Sequence, residues 1–243
     1  MAFSYSPKII TDGLVLYLDA ANTRSYPGSG TTWSDLSRGG NTGTLVNGPT
    51  FNSGNGGSIV FDGTNDYVIT TLNATPLLNI TSQITLEIWF KSTALASVSH
   101  GDGLFSKGTS SDGNSGVYEM LLVQSGVVNY PFFRIRTSST PSYNPTNIPI
   151  NLNQIYHLVC TYNGSIIRIF INGVESGVGL STSGNIETNS QQLTMGVRYI
   201  HTTNPADSFF SGNIYSSRIY NRALSTTEIR QNYNATKTRF GII

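Results

Sequence analysis

The stretch YHLVCTYNGSIIRIFINGVESG, residues 156–177, decides the fold because it alternates apolar strands with short polar turns. Residues 156–162 and 165–171 read as two strands, and Asn163-Gly164 between them predicts a two-residue hairpin turn with two positive φ angles. Asn172-Gly173 predicts a second turn of the same kind. This spacing favours a meandering antiparallel sheet over parallel crossover units.

Further strand patterns lie on both sides of this hairpin. We predict strands at 14–18, 58–61, 67–70, 84–91, 104–107, 118–123, 132–137 and 212–220. In residues 84–91 the side chains alternate between two faces, which predicts a half-exposed sheet in which Glu87 is a solvated residue facing Lys91. Residues 95–115 and 138–153 are poor in apolar side chains or rich in proline, so we expect long surface loops there.

One helix is expected, near the end of the chain. Ser225-Thr226-Thr227-Glu228 is a capping-box sequence, in which the serine hydroxyl and the glutamate carboxylate bind each other's backbone amides. The pattern predicts a short helix over 225–233, docked on the sheet through Leu224, Ile229 and Tyr233.

Length and composition favour one all-β domain. The 243 residues suffice for a core without metal or disulfide staples, and we divide them into an arm (1–12), the domain (13–236) and a tail (237–243). Charged residues make up 11% of the chain and the net charge is +1, so we expect no nucleic-acid partner and no membrane insertion. The first apolar run lacks a basic leader, which argues against an export signal. The lone cysteine, Cys160, is expected to be buried and unpaired.

Five stretches together resemble one known family. They are 13–51, 58–70, 84–92, 156–177 and 211–241, and the chain they define resembles the laminin-G-like branch of the concanavalin A-like lectin/glucanase jelly rolls. The resemblance implies two stacked antiparallel sheets, in agreement with the strand pattern. It also implies that Trp33 and Trp89 belong to the core rather than to a ligand platform.

A narrower resemblance concerns YPGSGTTW at 26–33, which is similar to lectin-like domains in structural proteins of tailed bacteriophages. It implies a non-enzymatic virion surface protein, in the head decoration, a fibre or the tail, assembled in the host cytoplasm. Glycans or host surfaces and other virion proteins would be its partners, and the protein could be a homo-oligomer. The alternative is a purely structural virion protein, with the first nine residues and 236–243 as candidate contact segments.

A glycoside hydrolase is the second alternative, since the same superfold includes glucanases that use two close carboxylates. Their Glu-x-Asp-x-x-Glu spacing is absent, and each strand glutamate stands alone in the sequence. His100, His157 and His201 lack a neighbouring serine or cysteine signature for nucleophilic catalysis. We therefore expect no enzymatic activity.

Calcium is the one cofactor that the sequence leaves open. Asp62, Asn65 and Asp66 form the densest group of candidate oxygen ligands, and relatives of this fold hold calcium at a loop rim. The competing interpretation is that these side chains only cap a turn.

Sugar binding favours aromatic rings beside amide and guanidinium groups, because the apolar face of a pyranose stacks on a ring. The candidate residues in or beside polar loops are Tyr130, Tyr143, Asn144, Arg198, Tyr199 and Asn204.

Overall fold

The computed structural model describes residues 7–71, 76–97, 101–108, 116–137, 141–145, 148–198 and 209–243, with 141–145 described as backbone. They form two antiparallel sheets that enclose one large apolar core, so the predicted all-β sandwich is confirmed. Within these ranges, no helix has both the length and the apolar character needed to cross a membrane.

Sheet A contains eight strands. They are β1 (Leu14–Asp19), β4 (Thr50–Asn52), β5 (Ser58–Asp62), β7 (Ile84–Ser92), β12 (Ile155–Tyr162), β13 (Ile166–Ile171), β14 (Val174–Ser181) and β16 (Ser211–Tyr220). Their order is β14-β13-β12-β7-β16-β5-β4, and β1 also pairs with β16.

Sheet B also contains eight strands. They are β2 (Thr32–Trp33), β3 (Gly43–Val46), β6 (Tyr67–Thr70), β8 (Asp102–Lys107), β9 (Tyr118–Ser125), β10 (Val128–Arg136), β11 (Pro141–Pro145) and β15 (Leu193–Met195), in the order β11-β10-β9-β8-β15-β6-β3-β2. The expectation of a loop throughout 138–153 is wrong at β11. In the other interval, 95–115, β8 confirms the strand predicted at 104–107. At β11 an edge position tolerates the prolines that end the strand, because one side of an edge strand needs no ladder amides.

The hairpin region behaves largely as predicted. Asn172 and Gly173 both have positive φ, 53° and 77°, as a two-residue turn requires. At the first turn only Gly164 does, with φ 91°. The prediction for Asn163 is wrong because its carboxamide oxygen instead accepts the amides of Ser165 and Ile166, at 3.0 and 2.9 Å.

The core between the sheets contains the residues expected from alternation. Trp33 is fully buried there, as the family resemblance implied, and so is Phe133 on the core-facing side of β10. Cys160 is buried and unpaired as predicted, and burial raises the pKa of its thiol.

The capping box is confirmed at the start of helix α1 (Thr226–Thr236). The Ser225 hydroxyl accepts the Glu228 amide at 3.3 Å, and the Glu228 carboxylate accepts the Ser225 amide at 2.8 Å. The helix extends past the predicted end at 233 and continues into a 3-10 turn, Lys237–Phe240. It packs on the outer face of sheet A through a second apolar cluster that includes Ile229.

The helix buries the strand face that the sequence assigned to solvent. Glu87 is 1% exposed, so its predicted exposure is wrong, whereas Trp89 is fully buried, as the family resemblance implied. The Trp89 indole donates to the Thr236 hydroxyl at 2.9 Å and stacks on Phe240 with ring centroids 4.3 Å apart. Alternation in one strand shows which side chains share a face, but another element decides whether water reaches that face.

Glu87 is the centre of a buried polar cluster between sheet A and α1. Its carboxylate accepts Arg218 at 2.5 Å, His157 at 3.0 Å and Asn232 at 2.7 Å. Burial raises the pKa of the Glu87 carboxyl, but the Arg218 charge and the bonds from His157 and Asn232 outweigh burial and lower this pKa from 4.5 to about 2.

Residues near both ends of the described chain pack against sheet A and α1. The Asn232 side chain accepts the Ile10 amide at 2.7 Å, and the Tyr220 hydroxyl donates to the Ile10 carbonyl at 3.1 Å. At the other end Arg239 donates to the Asp19 carboxylate at 2.7 Å. Residues 7–12 and 237–240, which we expected to serve as arm and tail, therefore pack on the domain itself.

The ionisation of Glu87 predicts a specific acid sensitivity. Because its folded pKa lies below 4.5, the ionised carboxylate contributes stability above about pH 4.5, and that contribution is lost as pH falls toward 2. We expect this group to account for about 3 kcal/mol of the unfolding free energy over that interval. Glu87→Gln should remove that part of the acid slope and lower stability at pH 7 by about 3 kcal/mol, since Arg218 loses its counter-charge. Urea unfolding at a series of pH values measures both effects.

Glu175→Gln is the matched control, because the ion pair between Glu175 and Arg168 lies at the surface. We expect it to change stability by no more than about 1 kcal/mol. Parallel acid slopes for the wild-type protein and Glu87→Gln would contradict the assignment of this sensitivity to Glu87.

Candidate functional site

Among the described residues no helix packs on the outer face of sheet B, although its side chains Ser106, Glu119 and Leu121 are buried. Along β10 the side chains alternate between two faces. Phe133 and Ile135 lie in the core, and every second residue from Val128 onward lies on the outer face. The outward residues are Val128, Tyr130, Phe132, Arg134 and Arg136. This strand therefore presents two aromatic rings followed by two guanidinium groups.

The register with β9 places partners beside each of these side chains. Tyr130 lies opposite Val123, and Phe132 lies opposite Leu121. Both aromatic residues are half-buried, and the neighbouring aliphatic side chains support their rings. We call Tyr130 and Phe132 the aromatic strip.

A buried ion cluster lies next to the aromatic strip, where Glu119 pairs in register with Arg134. The Glu119 carboxylate accepts Arg134 at 3.2 Å, Arg198 at 3.3 and 3.4 Å, and the Ser106 hydroxyl at 3.2 Å. Glu119 is fully buried, and Arg198 is 8% exposed. Two arginines from different parts of the chain thus share one carboxylate.

Two glycines allow the chain to approach this cluster closely. A Cβ atom at Gly103 would lie 2.3 Å from the backbone carbon and oxygen of Val197, so the segment carrying Arg198 crosses β8 at a point where no side chain fits. A Cβ atom at Gly116 would lie 2.6 Å from the Glu119 carboxyl carbon. The close approach at Gly103 brings Arg198 within hydrogen-bonding distance of Glu119.

The structure brings several of the predicted sugar-binding residues to this sheet. Tyr130 is in β10 rather than in a loop, and Arg198 is held by Glu119. The backbone positions of Tyr143 and Asn144 are in β11, opposite Arg134 and Phe133. The two other candidates, Tyr199 and Asn204, lie outside the described residues.

Sequence reasoning missed Phe132, Arg134 and Glu119. Phe132 could have been found, because it shares a face with Tyr130 in any strand that includes both residues. The ion cluster could not, because it depends on the register between strands and on the path of the segment that carries Arg198.

The proposed calcium ligands form a turn at the end of β5. The Asp62 carboxylate accepts the amides of Thr64 and Asn65 at 2.7 and 3.3 Å, and hydrogen bonds of this kind lower its pKa. The Asp66 carboxylate accepts the Asp62 amide at 3.1 Å, and burial raises the pKa of Asp66. Across the described ranges, no three or more His, Cys, Asp or Glu side chains are grouped so that they could hold a metal ion. Calcium binding stays a prediction.

A family model described as the concanavalin A-like lectin/glucanases superfamily matches residues 62–230, well over half of the chain. The chain belongs to this superfamily. The match includes the aromatic strip, the Glu119 cluster and the start of α1, so the predicted concanavalin A-like jelly roll is confirmed.

Solved structures of low sequence identity share the fold. Domain 4 of AbnA, an extracellular GH43 arabinanase from Geobacillus stearothermophilus, solved with arabinotriose, is 18% identical with a TM-score of 0.62, and the match covers 92% of this chain and 100% of that one. The binding domain of Paraclostridial mosquitocidal protein 1 is 16% identical, with a TM-score of 0.67 and coverage of 92% and 52%. Trypanosoma rangeli sialidase is 18% identical, with a TM-score of 0.68 and coverage of 98% and 36%.

The chain thus spans all of the first of these proteins, about half of the second and about a third of the third. Binding domains and domains of enzymes both occur among them. No curated protein sequence matches this chain.

The close approach at Gly103 predicts a coupling with Arg198. Gly103→Ala should destabilise the domain by about 1–3 kcal/mol, because the new methyl group displaces the Val197 backbone. Once that segment has moved, Arg198 no longer reaches Glu119. Arg198→Ala should therefore lower the free energy of unfolding less in the Gly103→Ala background than in the wild type. A double-mutant cycle by urea unfolding measures this difference.

Gly126→Ala is the control, because Gly126 is at a hairpin tip where an added Cβ would meet no atom within 4 Å. Its φ of 61° makes this substitution destabilising by itself, without any contact with the Arg198 segment. Its effect should add to that of Arg198→Ala. Additive effects of Gly103→Ala and Arg198→Ala would show that the crossing does not position the arginine.

Proposed function

We propose that this protein is a non-enzymatic carbohydrate-binding domain whose ligand lies on the outer face of sheet B. The observation that carries the proposal is the half-buried aromatic strip, Tyr130 and Phe132, on the face that α1 leaves uncovered. The superfamily and the glycan complex of the arabinanase domain support the same class of ligand.

The chemistry of this face suits a sugar. Aromatic rings supply the apolar surface on which the C–H side of a pyranose stacks, and guanidinium groups donate to its hydroxyls. At the end of the aromatic strip, Arg136 forms an ion pair with Glu187 at 3.0 Å, with both side chains about a third exposed. Arg134 and Arg198 are mostly buried, so we assign them to positioning this surface.

The proposal includes the absence of catalysis. Its support is that the two best-placed strand glutamates are both bound to arginines. Glycoside hydrolysis needs one carboxyl group that carries a proton and a second that reaches the sugar. Glu87 lies beneath α1 against Arg218, and Glu119 lies against Arg134 and Arg198. Each carboxylate therefore neutralises arginine charge within the fold.

We further propose that the domain is exposed on a tailed-phage virion and is assembled there from the host cytoplasm with other virion proteins. The support for this placement is the resemblance of residues 26–33 to lectin-like domains of such proteins. Repetition on a particle would give many weak sugar contacts high avidity.

The aromatic strip predicts the outcome of a glycan-array screen. We expect the wild-type protein to bind a defined set of glycans, and Tyr130→Ala to weaken binding at least about tenfold, equivalent to about 1.4 kcal/mol, because the stacking surface is lost. Tyr130→Phe should retain most of the affinity, since the ring remains. Val178→Ala is the surface control, because Val178 is 90% exposed on β14 in the other sheet.

The same screen tests calcium when it is run with calcium and with a chelator. Loss of binding with the chelator and in an Asp62→Ala/Asp66→Ala variant would place calcium at that turn, and unchanged binding would remove it from the proposal. If folded wild-type protein binds no glycan under either condition, the carbohydrate proposal fails and the purely structural role replaces it.

The virion placement has its own test. An antibody raised against the purified protein should label intact phage particles from the source of the sequence in electron micrographs. Protein that is detected in the lysate but absent from washed particles would overturn the placement and leave the sugar-binding proposal standing.

A further inference from the structure

A groove of about 520 Å³ lies on the other side of the sandwich, between the start of α1 and the β12–β13 hairpin. Its volume is within the range of small-molecule sites, roughly 300–1,000 Å³. Thr161 and Phe170, which line it from the outer face of sheet A, are almost fully buried. Gln83, Asn163, Leu224 and Thr226 lie around them.

The charged side chains of this groove are already neutralised. Arg168 donates to Glu175, and Glu228 accepts two hydrogen bonds from Arg222 at 2.6 and 3.0 Å. No net charge is left to attract an anion or a cation strongly. The ligand that matches this groove electrostatically is therefore neutral.

The remaining polar groups are carboxamides and hydroxyls that can still form hydrogen bonds with a ligand. The Asn163 oxygen accepts two backbone amides, and the Gln83 oxygen accepts the Ala223 amide at 3.4 Å, so the nitrogen of each carboxamide remains a donor. The hydroxyls of Thr161 and Thr226 can each donate or accept. Phe170 and Leu224 are buried and form the floor, and the partly exposed apolar side chains are Ile166 and Ala223. Carboxamides and hydroxyls beside these apolar side chains match a neutral, polyhydroxylated ring compound.

We propose that this groove is a second carbohydrate site, for a neutral mono- or disaccharide. It is separate from the aromatic strip, because the two sites lie on the outer faces of opposite sheets. One domain could then contact two sugar chains at once, and the gain in avidity would need no contact between the sites. The proposal does not depend on sugar binding at sheet B.

Amide chemical shifts of the nitrogen-15 labelled protein test the groove directly. The probes are glucose, galactose, maltose, cellobiose and lactose, with glucuronate as the charged counterpart. We expect at least one neutral probe to shift the amides of Asn163, Ile166 and Thr226 with a dissociation constant of about 1 mM or lower. Glucuronate should bind at least about tenfold more weakly than the best neutral probe.

Variants separate this site from the other one. Thr226→Trp fills the groove and should abolish the shifts, whereas Arg230→Trp, at an exposed helix position outside the groove, should preserve them. Tyr130→Ala should also preserve them, even if it abolishes binding at sheet B. The proposal is overturned if no neutral probe shifts these amides, if glucuronate binds best, or if the shifts persist in Thr226→Trp.

Discussion

The Glu87 carboxylate, buried between sheet A and the C-terminal helix, is the constraint on which the rest of the structure depends. A carboxylate in an apolar environment must be paired and hydrogen-bonded, or the folded state is strongly destabilised. Arg218, His157 and Asn232 meet this requirement from β16, β12 and α1. Asn232 also accepts the amide of Ile10, so the same cluster fixes the start of the described chain. The position of the helix is thereby tied to three strands and to residues 7–12.

This arrangement gives the two outer faces different roles. α1 and the following 3-10 turn occupy the outer face of sheet A, where Trp89 stacks on Phe240. Sheet B has its own buried carboxylate, Glu119, but its partners come from a neighbouring strand and from the segment that crosses Gly103. One cluster thus attaches a covering helix, and the other attaches a crossing segment beside the aromatic strip. Because α1 is held on sheet A, it does not cover the face of sheet B that carries the aromatic strip.

The sequence was sufficient for the features that local physics determines. The Asn172-Gly173 turn and the Ser225 capping box depend on neighbouring residues, and both are as predicted. The burial of Glu87 was not predictable from alternation alone, because Arg218 is 131 positions away and the helix covering both residues is later still. The proline-bounded strand β11 was missed because proline is unfavourable in most strands but acceptable at an edge.

The candidate site shows the same limit at the level of function. Tyr130 could be identified from its residue type, yet its pairing with Val123 in β9 depends on a register that the sequence does not display. The sequence predicts Arg198 as a hydrogen-bonding companion of tyrosines in or beside polar loops, but its guanidinium is bound to Glu119 and its side chain is only 10% exposed. A polar residue near a loop can therefore shape a binding surface without touching the ligand. Two aromatic residues that lie side by side on one face of a strand and stay partly exposed are the stronger indication, because together they offer a continuous apolar surface to a sugar ring.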